Sequence, residues 1–168
     1  EKNFISLFTA INKMAEKYDM PILYSCHPRS RNRLVASGFK LDSRVQVQQP
    51  LGFHDYNWLQ MNAFAVVSDS GTLPEESSFY ASIGKPISAV CIRTSTERPE
   101  AIDKACFILS GIDTKGLLQS VDLAVQMTKD GNHGIPVPSY TDDVSNKVVK
   151  IIQSYVGVVN KMVWRKEI

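Results

Sequence analysis

Short apolar runs alternate with helical periodicities along nearly the whole chain, and that alternation leaves few folds open. Phe4, Ile5, Phe8, Ile11, Met14 and Ala15 recur at helical spacing, and after Lys17-Tyr18-Asp19 they yield to an apolar strand from Pro21 to Cys26. His27-Pro28 ends that strand. Arg29 to Ala36 reads as a short basic helix closed near Gly38, and Val45-Gln46-Val47 is a strand candidate. Pro50-Leu51-Gly52-Phe53 is a loop, Asp55 can cap a helix through Gln60, and a strand over Phe64 to Ser68 follows. Glu75 to Ile83 forms the next helix, stopped by Gly84-Lys85-Pro86, and Ile87 to Ile92 the next strand. Pro99 to Ala105 is helical, Cys106 to Leu109 a strand and Lys115 to Thr128 a helix. The class predicted is α/β: a Rossmann-like, doubly wound parallel sheet with helices on both faces.

From Lys129 to Tyr140 the glycines and prolines predict a loop without regular structure, and the sheet domain, residues 1–140, ends there. Asp142-Asp143 then begins a long helix, residues 141–168, in which Val144, Val148, Val149, Ile152, Tyr155, Val156, Val159, Met162 and Trp164 are apolar. Such a wide stripe on a terminal helix predicts packing against a second domain. The chain also opens on Glu1-Lys2-Asn3 with no initiator Met, and it reads as a piece of a longer protein.

A chain of 168 residues can bury one sizeable core, and a net charge of +2 with 43% hydrophobic residues describes an ordinary globular domain. Lys and Arg are scattered, so no basic stripe predicts nucleic-acid binding. No apolar run reaches the length of a membrane span and the start carries no signal-peptide pattern, so no membrane association is expected. Cys26, Cys91 and Cys106 are far apart, which predicts free thiols in a reducing, cytoplasmic setting and no zinc site. No Gly-x-Gly-x-x-Gly fingerprint or Walker loop is present, which disfavours NAD and ATP; no cofactor is expected. No carboxylate cluster is spaced for Mg²⁺, so no metal is expected either.

In an open parallel sheet the ligand crevice lies outside the carboxyl ends of the strands. Three such ends are polar: His27, the run Ser68-Asp69-Ser70-Gly71-Thr72-Leu73-Pro74-Glu75-Glu76, and the run Arg93-Thr94-Ser95-Thr96-Glu97-Arg98-Pro99-Glu100. A helix start with free N–H groups seats an anion, and arginines close by grip a diphosphate. Together these runs point to a nucleotide-sugar site. Each residue also has a plainer role. Asp69 or Ser70 can be an N-cap, His27 a polar strand end, Glu75 and Glu76 complements to a helix dipole, and Arg93, Glu97, Arg98 and Glu100 a surface ion-pair cluster. His54, His133, Trp58 and Trp164 carry no constellation and read as surface or packing residues.

The order His-Pro, then Ser-Asp-Ser-Gly with Glu-Glu, then Arg with Thr-Glu-Arg-Pro-Glu resembles the non-hydrolysing UDP-N-acetylglucosamine 2-epimerases over nearly the whole chain. The resemblance implies the second of two Rossmann-like domains in a GT-B arrangement, with the final helix returning to the N-terminal domain. His27 matches the family's catalytic histidine near the diphosphate. Ser70 and the Gly71 backbone match its phosphate ligands, Glu76 its ribose ligand and Arg93 the arginine that neutralises the diphosphate. Phe53 is placed like the segment that reads uracil, and Glu97 and Arg98 belong to the second motif. The resemblance further implies a UDP-sugar substrate, a homodimer for the full-length protein, a role in capsule or O-antigen polysaccharide synthesis, and acid and base carboxylates on the N-terminal domain. This chain by itself is then expected to bind without turnover.

Thr72-Leu73-Pro74 stands where many members carry a second glycine and a glutamine, and Pro28-Arg29-Ser30-Arg31 replaces an Asn-rich continuation. With Glu-Glu-Ser-Ser and Ile151-Ile152-Gln153-Ser154-Tyr155, these departures resemble the branch that forms UDP-N-acetyl-L-fucosamine. Two other classes stay open: a GT-B glycosyltransferase domain, and a non-catalytic nucleotide-sugar-binding module whose terminal helix makes a dimer contact.

Overall fold

A computed structural model of the chain describes residues 2–141 and 143–166. Its elements run α1 (Lys2–Tyr18), β1 (Ile22–Ser25), α2 (Pro28–Ser37), β2 (Val45–Gln48), α3 (Phe53–Asn62), β3 (Val66–Ser68), α4 (Leu73–Ser82), β4 (Ala89–Cys91), α5 (Pro99–Asp103), β5 (Ile108–Leu109), α6 (Thr114–Lys129), α7 (Pro138–Thr141) and α8 (Val144–Met162). Every strand pairing is parallel. The hydrogen-bonded ladders form two sets, β1 with β2 and β3–β4–β5, in which Ile22 stands opposite Val45, Val66 opposite Ala89 and Val90 opposite Ile108.

The period of two along the strands sorts their side chains between two cores. Val67, Val90, Ile92 and Ile108 meet Phe8, Ile11 and Met14 of α1 and Leu117, Val121 and Val125 of α6 in one cluster, which also takes Ile22, Tyr24 and Val45 from the β1–β2 ladder. Val66, Ala89, Cys91 and Leu109 point the other way, into a cluster with Leu73 and Tyr80 of α4, Ala101 of α5 and Val137. Helices therefore cover both faces of the β3–β4–β5 sheet, as the alternation of elements predicts, and the first cluster joins the two ladders. Cys26, Cys91 and Cys106 are free and buried, and burial pushes the thiols of Cys91 and Cys106 up from their ordinary range.

Local chemistry sets the helix ends. The imidazole of His27 accepts from the Arg29 N–H, Pro28 occupies the first turn where its missing donor costs nothing, and Gly38 closes α2 at φ 62°. Asp113 caps α6 by accepting from the Gly116 N–H at 2.8 Å. The helix expected to be capped by Asp55 begins earlier: Gly52 is its N-cap and Asp55 lies in its first turn, where its charge favours the helix dipole. Likewise α4 starts at Leu73, because Pro74 suits a first turn and Thr72 takes the capping position. Ala63 is the C-cap of α3, and β3 begins only at Val66.

The segment from Lys129 to Tyr140 was expected to lack regular structure and instead contains α7 from Pro138. It is pinned before that: Ile135 N–H reaches Lys104 O at 2.8 Å, Val137 N–H reaches Ser78 Oγ at 2.7 Å, and Val137 is 3% exposed. One buried valine and two long-range hydrogen bonds order it, and neither leaves a periodicity to read. Gly134 is required there, since at φ +88° a Cβ would stand 2.4 Å from Ala105 O. His133, expected as a surface or packing residue, buries its Nδ1 with no hydrogen-bond partner.

α8 forms over Val144–Met162 with Asp143 as its cap; Asp142 lies outside the described residues. None of its residues is buried. Val149, Ile152, Val156 and Met162 are 64%, 56%, 52% and 70% exposed, so a continuous apolar face stands in solvent. Among the described residues no helix is long and apolar enough to cross a membrane.

Candidate functional site

The N-terminus of α4 collects most of the residues singled out in the sequence. Ser68 Oγ at the end of β3 accepts from Ser70 N–H at 3.0 Å, and Ser70 Oγ accepts from Thr72 N–H at 3.2 Å. These two bonds fold the loop into a tight serine-rich turn. Thr72 Oγ1 donates to Glu76 Oε1 at 2.7 Å and sits 2.8 Å from Ser70 Oγ. Thr72 has one hydroxyl proton, committed to the carboxylate, so Ser70 is the donor in its contact with Thr72. Ser70, Thr72 and Glu76 thus form one directed chain. Thr72, and not Asp69 or Ser70 as expected, is the N-cap of α4, and no side chain caps the helix, because the Ser70 hydroxyl is turned to Thr72 and the Thr72 hydroxyl to Glu76.

Arg93, after β4, reaches the same turn. Its Nη1 lies 3.6 Å from where a Cβ on Gly71 would stand, and its Nη2 contacts Glu97 Oε1 at 3.3 Å. The loop glycine and the arginine are therefore neighbours, and the partly buried guanidinium lies beside the turn that leads into α4. Arg98 takes another partner: its Nε donates to Glu75 Oε1 at 2.6 Å. That contact raises the pKa of the Arg98 guanidinium. Glu100 accepts from Tyr140 OH at 2.5 Å, which holds its carboxyl below the usual range. Arg98 is thus ion-paired, but with Glu75 and not with Glu97 or Glu100 as expected, while Glu100 is held by the Tyr140 phenol.

Glu76 is ordered from a second direction by α3. Gln60, 4% exposed, donates from Nε2 to Glu76 Oε2 at 2.7 Å and accepts from Tyr80 OH at 2.8 Å. Burial, followed by the charge of Glu76, raises the phenol pKa of both Tyr56 and Tyr80. Two phenols, an amide and a hydroxyl thus surround one half-buried carboxylate. Phe53 opens the helix that carries Gln60, 76% exposed, and its carbonyl accepts from Asn57 Nδ2 at 2.6 Å. A separation of seven positions puts Phe53 about 10 Å up the α3 axis from Gln60.

His27 lies outside this cluster. Its Nδ1 accepts from Arg29 N–H at 3.3 Å, which requires the neutral ring with its proton on Nε2, a donor left facing solvent. No hydrogen bond joins it to Ser70, Glu76 or Arg93 among the described residues. Burial above all raises the phenol pKa of Tyr24 in β1, and the charge of Asp69 after β3 adds to it.

A cavity of about 730 Å³ opens beside the loop, lined by Asp69, Arg93, Thr94 and Ser95 on the strand ends and by Phe4 and Arg33 from α1 and α2. The Arg33 guanidinium stacks 4.7 Å above the Phe4 ring. The cavity and the serine-rich turn meet at Asp69 and Arg93; Ser70, Gly71, Glu76 and His27 are not among the cavity walls. The arrangement offers N–H groups and a guanidinium for an anion, an ordered acceptor for hydroxyls, and space alongside. Among the described residues no cluster of His, Cys, Asp and Glu is arranged to hold a metal ion.

Sequence reading missed Gln60, Thr72, Tyr56, Tyr80 and Arg33. The available signal for Gln60 was a polar residue between Leu59 and Met61.

Comparison with known proteins gives a consistent result. The family model described as UDP-N-acetylglucosamine 2-epimerase matches residues 1–153. The UDP-N-acetylglucosamine 2-epimerase of Methanococcus maripaludis is 31% identical over 139 residues, 76% of this chain and 37% of that protein. The structure of UDP-N-acetylglucosamine 2-epimerase from Rickettsia bellii superposes with a TM-score of 0.78 at 32% identity, covering 99% of this chain and 45% of that one. The Methanocaldococcus jannaschii UDP-GlcNAc 2-epimerase, solved in complex with UDP-GlcNAc and UDP, gives a TM-score of 0.65 at 26% identity over 74% of this chain and 34% of its own. The chain thus spans less than half the length of these relatives. On the family match and the shared fold, it belongs to the UDP-N-acetylglucosamine 2-epimerase family.

Proposed function

We propose that this chain is the UDP-sugar-binding half of an isomerase that inverts C2 of UDP-2-acetamido sugars. The observation that carries this reading is Arg93 standing against Gly71 at the start of α4, one turn from a carboxylate held at both oxygens. A diphosphate fits the N–H groups and Arg93, joined by the Ser70 hydroxyl once its proton turns from Thr72 to the phosphate, and the ribose hydroxyls fit Glu76. Phe53 would lie at the uracil, and the Nε2–H of His27 would face the diphosphate once a ligand is bound. Glu97 orients Arg93, and Arg98 holds the first turn of α4 through Glu75. The relative solved with UDP-GlcNAc and UDP supports this choice of ligand.

In the reaction proposed, a base removes the C2 proton, the C2–H electron pair forms the C1–C2 double bond, and the C1–O bond breaks to release UDP. Protonation of the resulting 2-acetamidoglycal at the opposite face of C2 and attack of the UDP oxygen on C1 restore the nucleotide sugar with C2 inverted. Arg93 and the α4 N–H groups stabilise the departing diphosphate, where preorganised positive charge acts most strongly. The acid and base are assigned to a companion N-terminal domain, and residues 141–168 to a helix that packs on it. The exposed face of α8 supports that assignment. UDP-N-acetyl-L-fucosamine is the product favoured by Thr72-Leu73-Pro74 and the other departures.

The test is to incubate the enzyme carrying both domains with a UDP-2-acetamido sugar in D₂O. Inversion at C2 with one deuterium gained there, and no acceptor needed, is expected. Transfer of the sugar to an acceptor would instead establish a glycosyltransferase.

A further inference from the structure

The carboxylate of Glu76 is held from two sides, and the α3 side is buried. Gln60 belongs to no motif read in the sequence, yet it spends its whole amide on this spot. Its Nε2 donates to Glu76 Oε2 at 2.7 Å and its Oε1 accepts from Tyr80 OH at 2.8 Å. The Glu76 bond fixes which way the amide faces, because an amide flipped by half a turn would set its oxygen against the carboxylate, while the single Tyr80 hydroxyl proton serves Gln60 Oε1 and Asn57 Oδ1 together. Gln60 is 4% exposed and Tyr80 is 2% exposed, so water does not compete for either bond. Thr72 fixes the other oxygen, Oε1, at 2.7 Å. Each oxygen keeps lone pairs free, and their direction is set by the two bonds already made.

We infer that Gln60, backed by Tyr80, is a positioning residue that sets the Glu76 carboxylate to accept both hydroxyls of a ribose, and so makes the site selective for ribonucleotides. The inference rests on the reading of Glu76 as a ribose ligand. Gln60 touches no ligand in this account; it acts only through Glu76. A side chain that merely filled space there would leave the preference between ribose and deoxyribose unchanged, because packing loss weakens both nucleotides alike.

Calorimetric titration with UDP and with 2′-deoxy-UDP tests it, using the parent chain, Gln60→Leu, Gln60→Glu and Glu76→Ala. The parent is expected to prefer UDP by about tenfold or more, the worth of a hydrogen bond to a charged group. Gln60→Leu and Glu76→Ala should both bring that ratio close to one. Gln60→Glu supplies a readout for the case in which the leucine variant does not fold. Two facing carboxylates share a proton at low pH, and as both ionise they repel, so the affinity of this variant for UDP relative to the parent should fall between about pH 5 and pH 8. Tyr56 and Tyr80, the ionisable groups facing Glu76, are held above the usual phenol range and stay neutral across that window. Asp69, beyond Tyr56, is common to parent and variant.

A ratio lost in Glu76→Ala but kept in Gln60→Leu, or a Gln60→Glu variant that tracks the parent at every pH, overturns the positioning role and leaves the ribose reading standing. A ratio kept in Glu76→Ala overturns the ribose reading itself. A parent that binds neither nucleotide overturns both.

Discussion

Glu75 and Glu76 are neighbours in the first turn of α4 and answer to opposite sides of it: Glu75 meets Arg98 at 2.6 Å, while Glu76 meets Gln60 and Thr72, each at 2.7 Å. Successive helical residues diverge by about 100° around the axis, so only one of the pair can face the strand ends. The divergence predicts unequal mutants. Glu75→Ala loses a half-exposed ion pair worth less than about 1 kcal/mol and should bind UDP like the parent. Glu76→Ala should weaken UDP about tenfold, by 1 to 2 kcal/mol, and also lower the melting temperature, since the buried Gln60 amide loses its acceptor. Calorimetry and thermal melts on the two variants check this.

The two phenols around Glu76 report its charge. Burial first, and then Glu76, raises the pKa of Tyr56 and Tyr80. Raised phenols favour the protonated fold, so their contribution to stability is complete below the unfolded value of about 10 and is lost as pH climbs through the higher folded values. Glu76→Gln removes the electrostatic part alone. Ultraviolet titration should show tyrosine ionisation at lower pH in this variant than in the parent, and an unchanged curve would place Glu76 away from both rings.

How much of this was legible in the sequence depended on whether a contact leaves a local pattern. The parallel α/β class followed from alternating periods, and the loop from Ser68 to Glu76 announced itself by composition. Gln60 did not, because its partner is 16 residues away and chosen by how α3 lies on α4. The ordering of Val137 by Ser78, 59 residues earlier, was invisible for the same reason. Strand lengths were overestimated at Ala63 and Ile87 because an apolar residue beside a strand looks like part of it; Ala63 ends a helix and Ile87 packs under α4 outside the ladder.

The core makes a prediction of different size. Leu117 is 0% exposed where α6 meets α1 and β4, so Leu117→Ala should cost about 2–5 kcal/mol through lost burial and the cavity left behind. Gly134→Ala should also be costly, since the new Cβ would strike Ala105 O at a positive φ. Denaturant melts should place both well below the parent.

α8 predicts the opposite. No residue of it is buried, so replacing Val149, Ile152 and Val156 together by serine should leave the melting temperature of the chain within about 1 °C while lowering the fluorescence of a hydrophobic dye. A large drop in melting temperature would mean that the helix packs on the body in solution.

The central claim is a diphosphate seat formed by the start of α4 and Arg93, and titration of the chain with UDP, with ADP alongside and Arg93→Ala as control, tests it most directly. The account predicts UDP binding that exceeds ADP binding and falls about tenfold or more when the guanidinium is removed. Equal affinity for UDP in the parent and in Arg93→Ala would contradict it.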